Sequence, residues 1–197
     1  MMQPGATAAR LEVRARWAYG EMCSTRFGAK YLSHKPSQGV LDCVSRGDAF
    51  ESVAGGLWSE LDSLLDLARP NEFHSHLSVY QTFTCVGWSK TDLNSAYALP
   101  AFSMPDKRNP IRYSEFFNGR PNTGAWSNGT QWIIGFAEES DPRVAAFRTP
   151  DIPQRDPGIA VPYNDSYILF EGYLRSILYM RTLDDQLKFL VWVPDVT

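Results

Sequence analysis

Near the C-terminus, Glu171-Gly172-Tyr173-Leu174-Arg175 have the types and order that phosphate chemistry uses. The flanking pattern puts them where a strand hands over to a helix. Ser166–Phe170 (SYILF) reads as a strand, and the segment from Tyr173 to Arg181 carries Leu174, Ile177, Leu178 and Met180 for packing. A helix N-terminus presents N–H groups without intrahelical partners and a partial positive charge, so it favours a phosphate. Gly172 lets a ligand approach the main chain closely. Arg175, in the first turn, can point its forked donors back at the same phosphate. Glu171 can hold Mg²⁺ or act as a general base. Glu171 is therefore the candidate catalytic residue. Gly172, Tyr173, Arg175 and Arg148 are the candidate ligand-binding residues, and Mg²⁺ is the candidate cofactor. A purely structural role is equally concrete: Glu171 caps the helix, Gly172 makes the turn, and Arg175 pairs with Glu171 or Asp156.

Other chemistry-bearing clusters are weaker. His74 and His76 would share a face of an extended segment, but apart from Glu72 no Cys, Asp or Glu lies nearby at zinc-site spacing, so no metal site is assigned. Glu138, Glu139 and Asp141 read as a solvated acidic turn rather than a cation site. In the loop-like stretch from Pro100 to Gly129, Lys107, Arg108, Arg112 and Arg120 are interleaved with Phe102, Tyr113, Phe116, Phe117 and Trp126. That pattern can stack bases and hold phosphates. It also arises when an irregular loop packs its aromatics onto a core, and this reading is preferred. Arg10, Arg14 and Arg16 lie off the apolar line of the first helix and are expected on a solvated face. Cys23, Cys43 and Cys85 are odd in number and widely spaced, which suits reduced, partly buried thiols in a cytosolic protein. No G-x-S-x-G elbow is present for a serine hydrolase.

The elements that must position these residues follow from periodicity. The stretch from Ala6 to about Leu32 reads as a helix, broken near Gly20 or Gly28. Ser33 to Gly47 reads as a loop. Asp48 to Ala68 carries an apolar stripe at helical spacing behind a capping box of Asp48 and Glu51. Leu77 to Trp88 reads as extended chain, and Lys90 to Leu99 as a short helix capped by Thr91 or Asp92. Gln131 to Phe136 is a further short strand. Gly158 to Tyr163 and Ser166 to Phe170 read as a hairpin around Asn164-Asp165, and Leu187 to Val193, almost wholly apolar, as an interior strand. The expected fold is α+β: a mainly helical N-terminal region over 1–99, packed on a small mixed sheet from 100–197, with one continuous domain as the alternative.

The order of about the last 50 residues resembles a known arrangement. Gly158-Ile159-Ala160-Val161, a turn, a hydrophobic strand, Glu171-Gly172-Tyr173-Leu174-Arg175, a helix and an apolar strand together look like the core of the ParB/sulfiredoxin superfamily. There a strand ends in an acidic-Gly-His-x-Arg-like motif that opens a helix. The resemblance implies a β-β-α-β unit and nucleotide or DNA-backbone binding at Glu171, Gly172, Tyr173 and Arg175, with possible nucleotide hydrolysis or nuclease activity. Tyr173 stands where many members carry His or Cys, so the resemblance points to nucleotide binding rather than to a reductase.

Composition bounds the rest. A net charge of −3 argues against a wholly basic surface that coats nucleic acid. No apolar run approaches the ~20 residues of a membrane span, and the first residues lack a secretory apolar core, so a cytoplasmic location and no membrane partner are expected. Aromatics at 13% suit either a core or an interface. The expected function is phosphate-ligand binding or hydrolysis at the Glu171–Arg175 turn. The alternative is a non-catalytic protein–protein interaction protein, of the immunity or adaptor type, from a bacterial or mobile-element system.

Overall fold

A computed structural model describes residues 3–24, 27–69, 73–98, 110–114, 157–172, 175–176, 179–180 and 187–195. The fold is α+β, and the chain divides into two compact units. The helical unit comprises residues 7–83 and 195–197, and the sheet unit residues 1–6 and 84–194. Arg148, Tyr173, the 131–136 strand, the acidic turn at 138–141 and most of the 100–129 stretch fall outside the described residues.

The helical unit opens with β1 (Thr7–Ala9), α1 (Arg10–Met22) and α2 (Gly28–Leu32). The helix expected over Ala6 to Leu32 is thus divided, and the cause lies at Gly28. A Cβ there would stand 2.7 Å from the carbonyl oxygen of Met22, so only glycine lets the chain turn back this tightly against the end of α1. The segment expected to be a loop contains α3 (Gln38–Arg46). Ser37 caps it, its hydroxyl accepting from the Val40 N–H, and Gly47 ends it at φ 66°, in the left-handed region.

The long helix expected from Asp48 is shorter than its apolar stripe. Residues Phe50–Ser52 and Gly55–Leu57 form single 3₁₀ turns, and α4 spans Trp58–Ala68. Gly55-Gly56 interrupts the helix, in keeping with the entropy two adjacent glycines lose on ordering. The expected capping box is replaced by ion pairs: Asp48 meets Arg46 at 2.7 Å and Glu51 meets Arg16 at 3.0 Å. The core of this unit is built from Val13, Tyr19, Tyr31, Val40, Leu61 and Leu65, all buried.

Two of the three arginines of α1, Arg14 and Arg16, are not on a solvated face. Arg14 is buried and pairs with Asp62 and, at 2.8 Å, with Asp66. Arg16 lies between Glu12 and Glu51, with its guanidinium 4.4 Å from the centre of the Phe50 ring. Arg10 donates to the Ser78 carbonyl. Deeper still, Glu21 of α1 accepts from Arg69 and from the Tyr31 hydroxyl, and Arg69 stacks 4.0 Å above Phe27.

The sheet unit contains most of β2 (Thr82–Trp88), then α5 (Lys90–Ser95), β3 (Tyr97–Ala98), β4 (Ile111–Arg112), β5 (Gly158–Tyr163), β6 (Ser166–Glu171) and β7 (Phe189–Pro194). Its strands lie in the order β2-β7-β5-β6-β3-β4. The sheet is mixed: β5 runs antiparallel to β6 and parallel to β7, while β3 runs parallel to β6 and antiparallel to β4. The apolar final strand is interior, with β2 and β5 on its two sides and every residue buried. One face of the sheet forms a core of Trp88, Leu93, Tyr113, Leu169, Tyr179, Phe189 and Val191. The cap of α5 is Ser89, two residues before the expected Thr91 and three before Asp92. Ser89 and Asp92 form a reciprocal capping box. No helix among the described residues is long and apolar enough to cross a membrane.

Candidate functional site

The strand-to-helix turn is built by the end of β6 and its neighbour β5. β6 delivers Glu171 to its last position, paired in register with Ile159 of β5 across an irregularity between Ile159 and Ala160. Gly172 then adopts φ +98°, which side chains rarely tolerate. Space imposes the same choice. A Cβ at Gly172 would lie 3.0 Å from the Gly158 Cα, 3.1 Å from the Phe189 ring and 3.3 Å from Arg175 Nη2. Gly158 is equally constrained, because its own Cβ would meet the Glu171 carbonyl oxygen at 2.9 Å. Two facing glycines thus let β5, β7 and the turn close on one another. Helical structure follows at once: Arg175 and Ser176 are helical, and the Ser176 N–H donates to the Gly172 carbonyl at 2.8 Å.

Three of the five candidate residues come together. Arg175 Nη2 donates to Glu171 Oε1 at 3.1 Å, forming a local ion pair over the turn. The arginine side chain is 11% exposed and the glutamate 33%, so the carboxylate is the member open to solvent. The guanidinium thus also lies close to Gly172, whose added Cβ would stand 3.3 Å from Arg175 Nη2.

A second layer lies beneath. Tyr113, just after β4, is fully buried, and its hydroxyl is 2.8 Å from Ser176 Oγ. Burial above all pushes the Tyr113 hydroxyl's pKa up. The negative charge of Glu171 adds to this, and the hydrogen bond with Ser176 opposes it. Tyr113 therefore stays protonated at neutral pH. Ser176 is itself buried, so the pair fixes the first turn of the helix that carries Arg175. Sequence reasoning placed Tyr113 among loop aromatics that pack on a core, which it does, but gave no sign that it meets Ser176, 63 residues away.

The other basic residue described in the aromatic-rich stretch is also engaged. Arg112 donates to both Asp165 carboxylate oxygens at 2.7 Å and to the Ser95 carbonyl at 2.6 Å, and lies 4.5 Å above the Tyr97 ring. Asp165, exposed in the hairpin turn between β5 and β6, is held below its ordinary pKa chiefly by the Arg112 hydrogen bond. His76 is exposed, and among the described residues no group of three or more His, Cys, Asp or Glu is placed to hold a metal ion. Comparison of the chain with protein-family models, with curated proteins and with solved structures found no match in any of the three.

Proposed function

We propose that the Glu171–Arg175 turn binds the phosphate of a nucleotide or of a nucleic-acid backbone, in the manner of ParB/sulfiredoxin-like proteins, with hydrolysis as the reaction Glu171 would serve. The observation that carries this reading is the Arg175–Glu171 ion pair beside Gly172, where an added Cβ would stand 3.3 Å from Arg175 Nη2. In the free protein Glu171 balances the arginine. A phosphate would replace the carboxylate as acceptor from the guanidinium and lie against the helix N-terminus. The displaced Glu171, already one-third exposed, would then face the ligand, either as a general base for water or as one oxygen ligand of Mg²⁺. A single carboxylate fits that ion, which keeps most of its waters and shares phosphate oxygens; when bound it would supply charge neutralisation.

A thermal-shift screen against ATP, CTP, GTP and a short DNA duplex, with and without Mg²⁺, tests the reading. A ligand bound only to the folded state at a hundredfold excess over Kd stabilises by about 2.7 kcal/mol. The expected result is a shift with at least one ligand that disappears in Arg175→Ala. A shift that survives that substitution, or no shift with any ligand, overturns the proposal.

A non-catalytic interaction role is the second reading. Leu11, Leu32, Leu67 and Val79 are large apolar side chains exposed on the helical unit, Val79 by 73%. A tight protein complex that forms with no nucleotide response would favour it.

A further inference from the structure

Helix α3 is held to the helical unit more lightly than its neighbours. Of its nine residues Val40 and Cys43 are buried, whereas α1 buries eight of 13 and α4 buries Leu61, Leu64, Leu65 and Ala68. A helix this short is marginal alone in water, so α3 depends on what it docks against. Its polar anchors sit at the two ends. At the start, the exposed Ser37 donates its N–H and its hydroxyl to the Glu60 carboxylate of α4, at 2.5 and 2.6 Å. At the end, the Tyr19 hydroxyl of α1 donates to the Cys43 carbonyl at 3.1 Å and, past the helix, to the Asp48 carbonyl at 2.8 Å. The remaining side-chain bonds of α3 are local: Gln38 to Asp42, Ser45 to the Asp42 carbonyl, and Arg46 to Cys43 and Asp48. Both connections contain a left-handed residue. Lys35 holds φ 56° directly before Pro36, where its own side chain and the following ring both oppose that conformation. Gly47 holds φ 66°, with open space where a Cβ would stand. Pro36 is buried and bounds the segment on its N-terminal side.

We propose that Ser37 and α3 form a hinged cover, which opens as one cooperative unit while α1 and α4 stay folded. Opening breaks the two bonds from Ser37 to Glu60 and releases the Tyr19 hydroxyl from the Cys43 carbonyl. It bares Val40 and Cys43, and it uncovers the Leu57 side chain, which lies 3.4 Å from the Cβ position of Gly39. The closed protein thus hides a small apolar face behind a segment with few buried side chains and exposed polar bonds at its leading end.

Residue-resolved hydrogen exchange of the full-length chain, repeated at low urea concentrations, tests this. The amides of residues 41–46 should share one protection factor, at least about tenfold below those of α1 and α4. That factor should stay nearly constant as urea rises, while protection of α1 and α4 falls, because a local opening exposes little surface. The buried Cys43 thiol supplies a second probe. In the native protein iodoacetamide should alkylate it at the rate of a free thiol divided by the same protection factor, as read from its tryptic peptide. Ser37→Ala should speed that alkylation about fivefold, the factor given by loss of a cap worth about 1 kcal/mol. Any of three results overturns the proposal. The first is equal protection and equal urea dependence in 41–46, α1 and α4, which would mean that α3 opens only when the whole unit unfolds. The second is protection graded inward from the ends of α3, which is fraying. The third is a Cys43 alkylation rate unchanged by Ser37→Ala. The wild-type exchange decides alone if that variant does not fold.

Discussion

Arg69 of the helical unit and Arg175 of the sheet unit are held in different ways. In the helical unit Arg69 is buried against Glu21, 48 residues away, with Tyr31 on the same carboxylate and Phe27 beneath the guanidinium. Arg14 likewise spans from α1 to two aspartates of α4. In the sheet unit Arg175 meets Glu171, only four residues away, and the carboxylate is one-third exposed. The first kind of pair ties distant segments together, and in the Arg69–Glu21 pair both side chains are buried, so neither returns to water without unfolding. The second is local, and of its two members only the carboxylate is open to solvent. The two pairs thus differ in sequence separation and in the burial of the carboxylate, while the two arginines are equally buried.

The largest expected effect follows from removing a committed charge. Arg69→Ala leaves the buried Glu21 carboxylate without its cation and should lower stability by about 3–5 kcal/mol. Urea denaturation followed by circular dichroism measures it. A loss below about 1 kcal/mol would mean that water or a local shift replaces the guanidinium, and the contrast between the two units would fail.

Next comes the backbone of the turn. Gly172→Ala imposes a side chain at φ +98° and within 3.1 Å of Gly158 and Phe189, so a loss of at least about 1–3 kcal/mol is expected. Gly55→Ala is the control, because no atom lies within 4 Å of its added Cβ and its φ is not in the left-handed region. Equal effects at both glycines in chemical denaturation would show that the packing around Gly172 does not set its identity.

How far this was legible in the sequence depended on distance along the chain. The strands β5, β6 and β7, and the meeting of Glu171, Gly172 and Arg175, rest on turn residues and apolar runs a few positions apart, and these are readable. Helix α3 was locally signalled by Ser37 and Gly47 but masked by the proline and glycine content around them. The Asp48–Glu51 pattern misled in the other direction: both carboxylates had arginine partners, and Arg16 lies 35 residues from Glu51. The layer under the site, Tyr113 on Ser176, and the burial of Arg14 and Arg69 depend on contacts between segments 48 to 63 residues apart. No periodicity encodes those pairings, because they are set by how the elements pack.

Smaller in stability, but the test of the proposed function, is Arg175→Ala. The pair it removes is local and half open, so a loss of about 1 kcal/mol or less is expected, well below that of Arg69→Ala. Glu171→Gln should cost no more and, under the proposed function, should leave phosphate binding intact while abolishing any hydrolysis, as measured by release of inorganic phosphate. If Arg175→Ala instead destabilises as strongly as Arg69→Ala, the guanidinium is a structural group and the turn is not free to accept a ligand.

The smallest effect concerns acid, and it separates a helix cap from an ion pair. Asp92 accepts from the N–H and hydroxyl of Ser89, and these bonds, the hydroxyl first, hold its pKa below the ordinary carboxylate value. A carboxylate whose folded pKa is depressed binds its proton more weakly in the folded state than in the unfolded one. Its contribution is therefore complete above the unfolded pKa of about 3.9 and is lost as pH falls through the lower folded value. Because Asp92 is largely exposed, the contribution is at most about 1 kcal/mol. In Asp92→Asn the unfolding free energy should fall less steeply with acid below about pH 4 than in wild type, since one of the titrating carboxylates is gone. Asp48 and Asp165 are also depressed, but by arginine partners, so added salt should weaken their share of the slope and leave that of the short-range Ser89 bonds to Asp92 nearly unchanged. An unaltered acid slope in Asp92→Asn would show that the capping box of α5 adds nothing that depends on its charge.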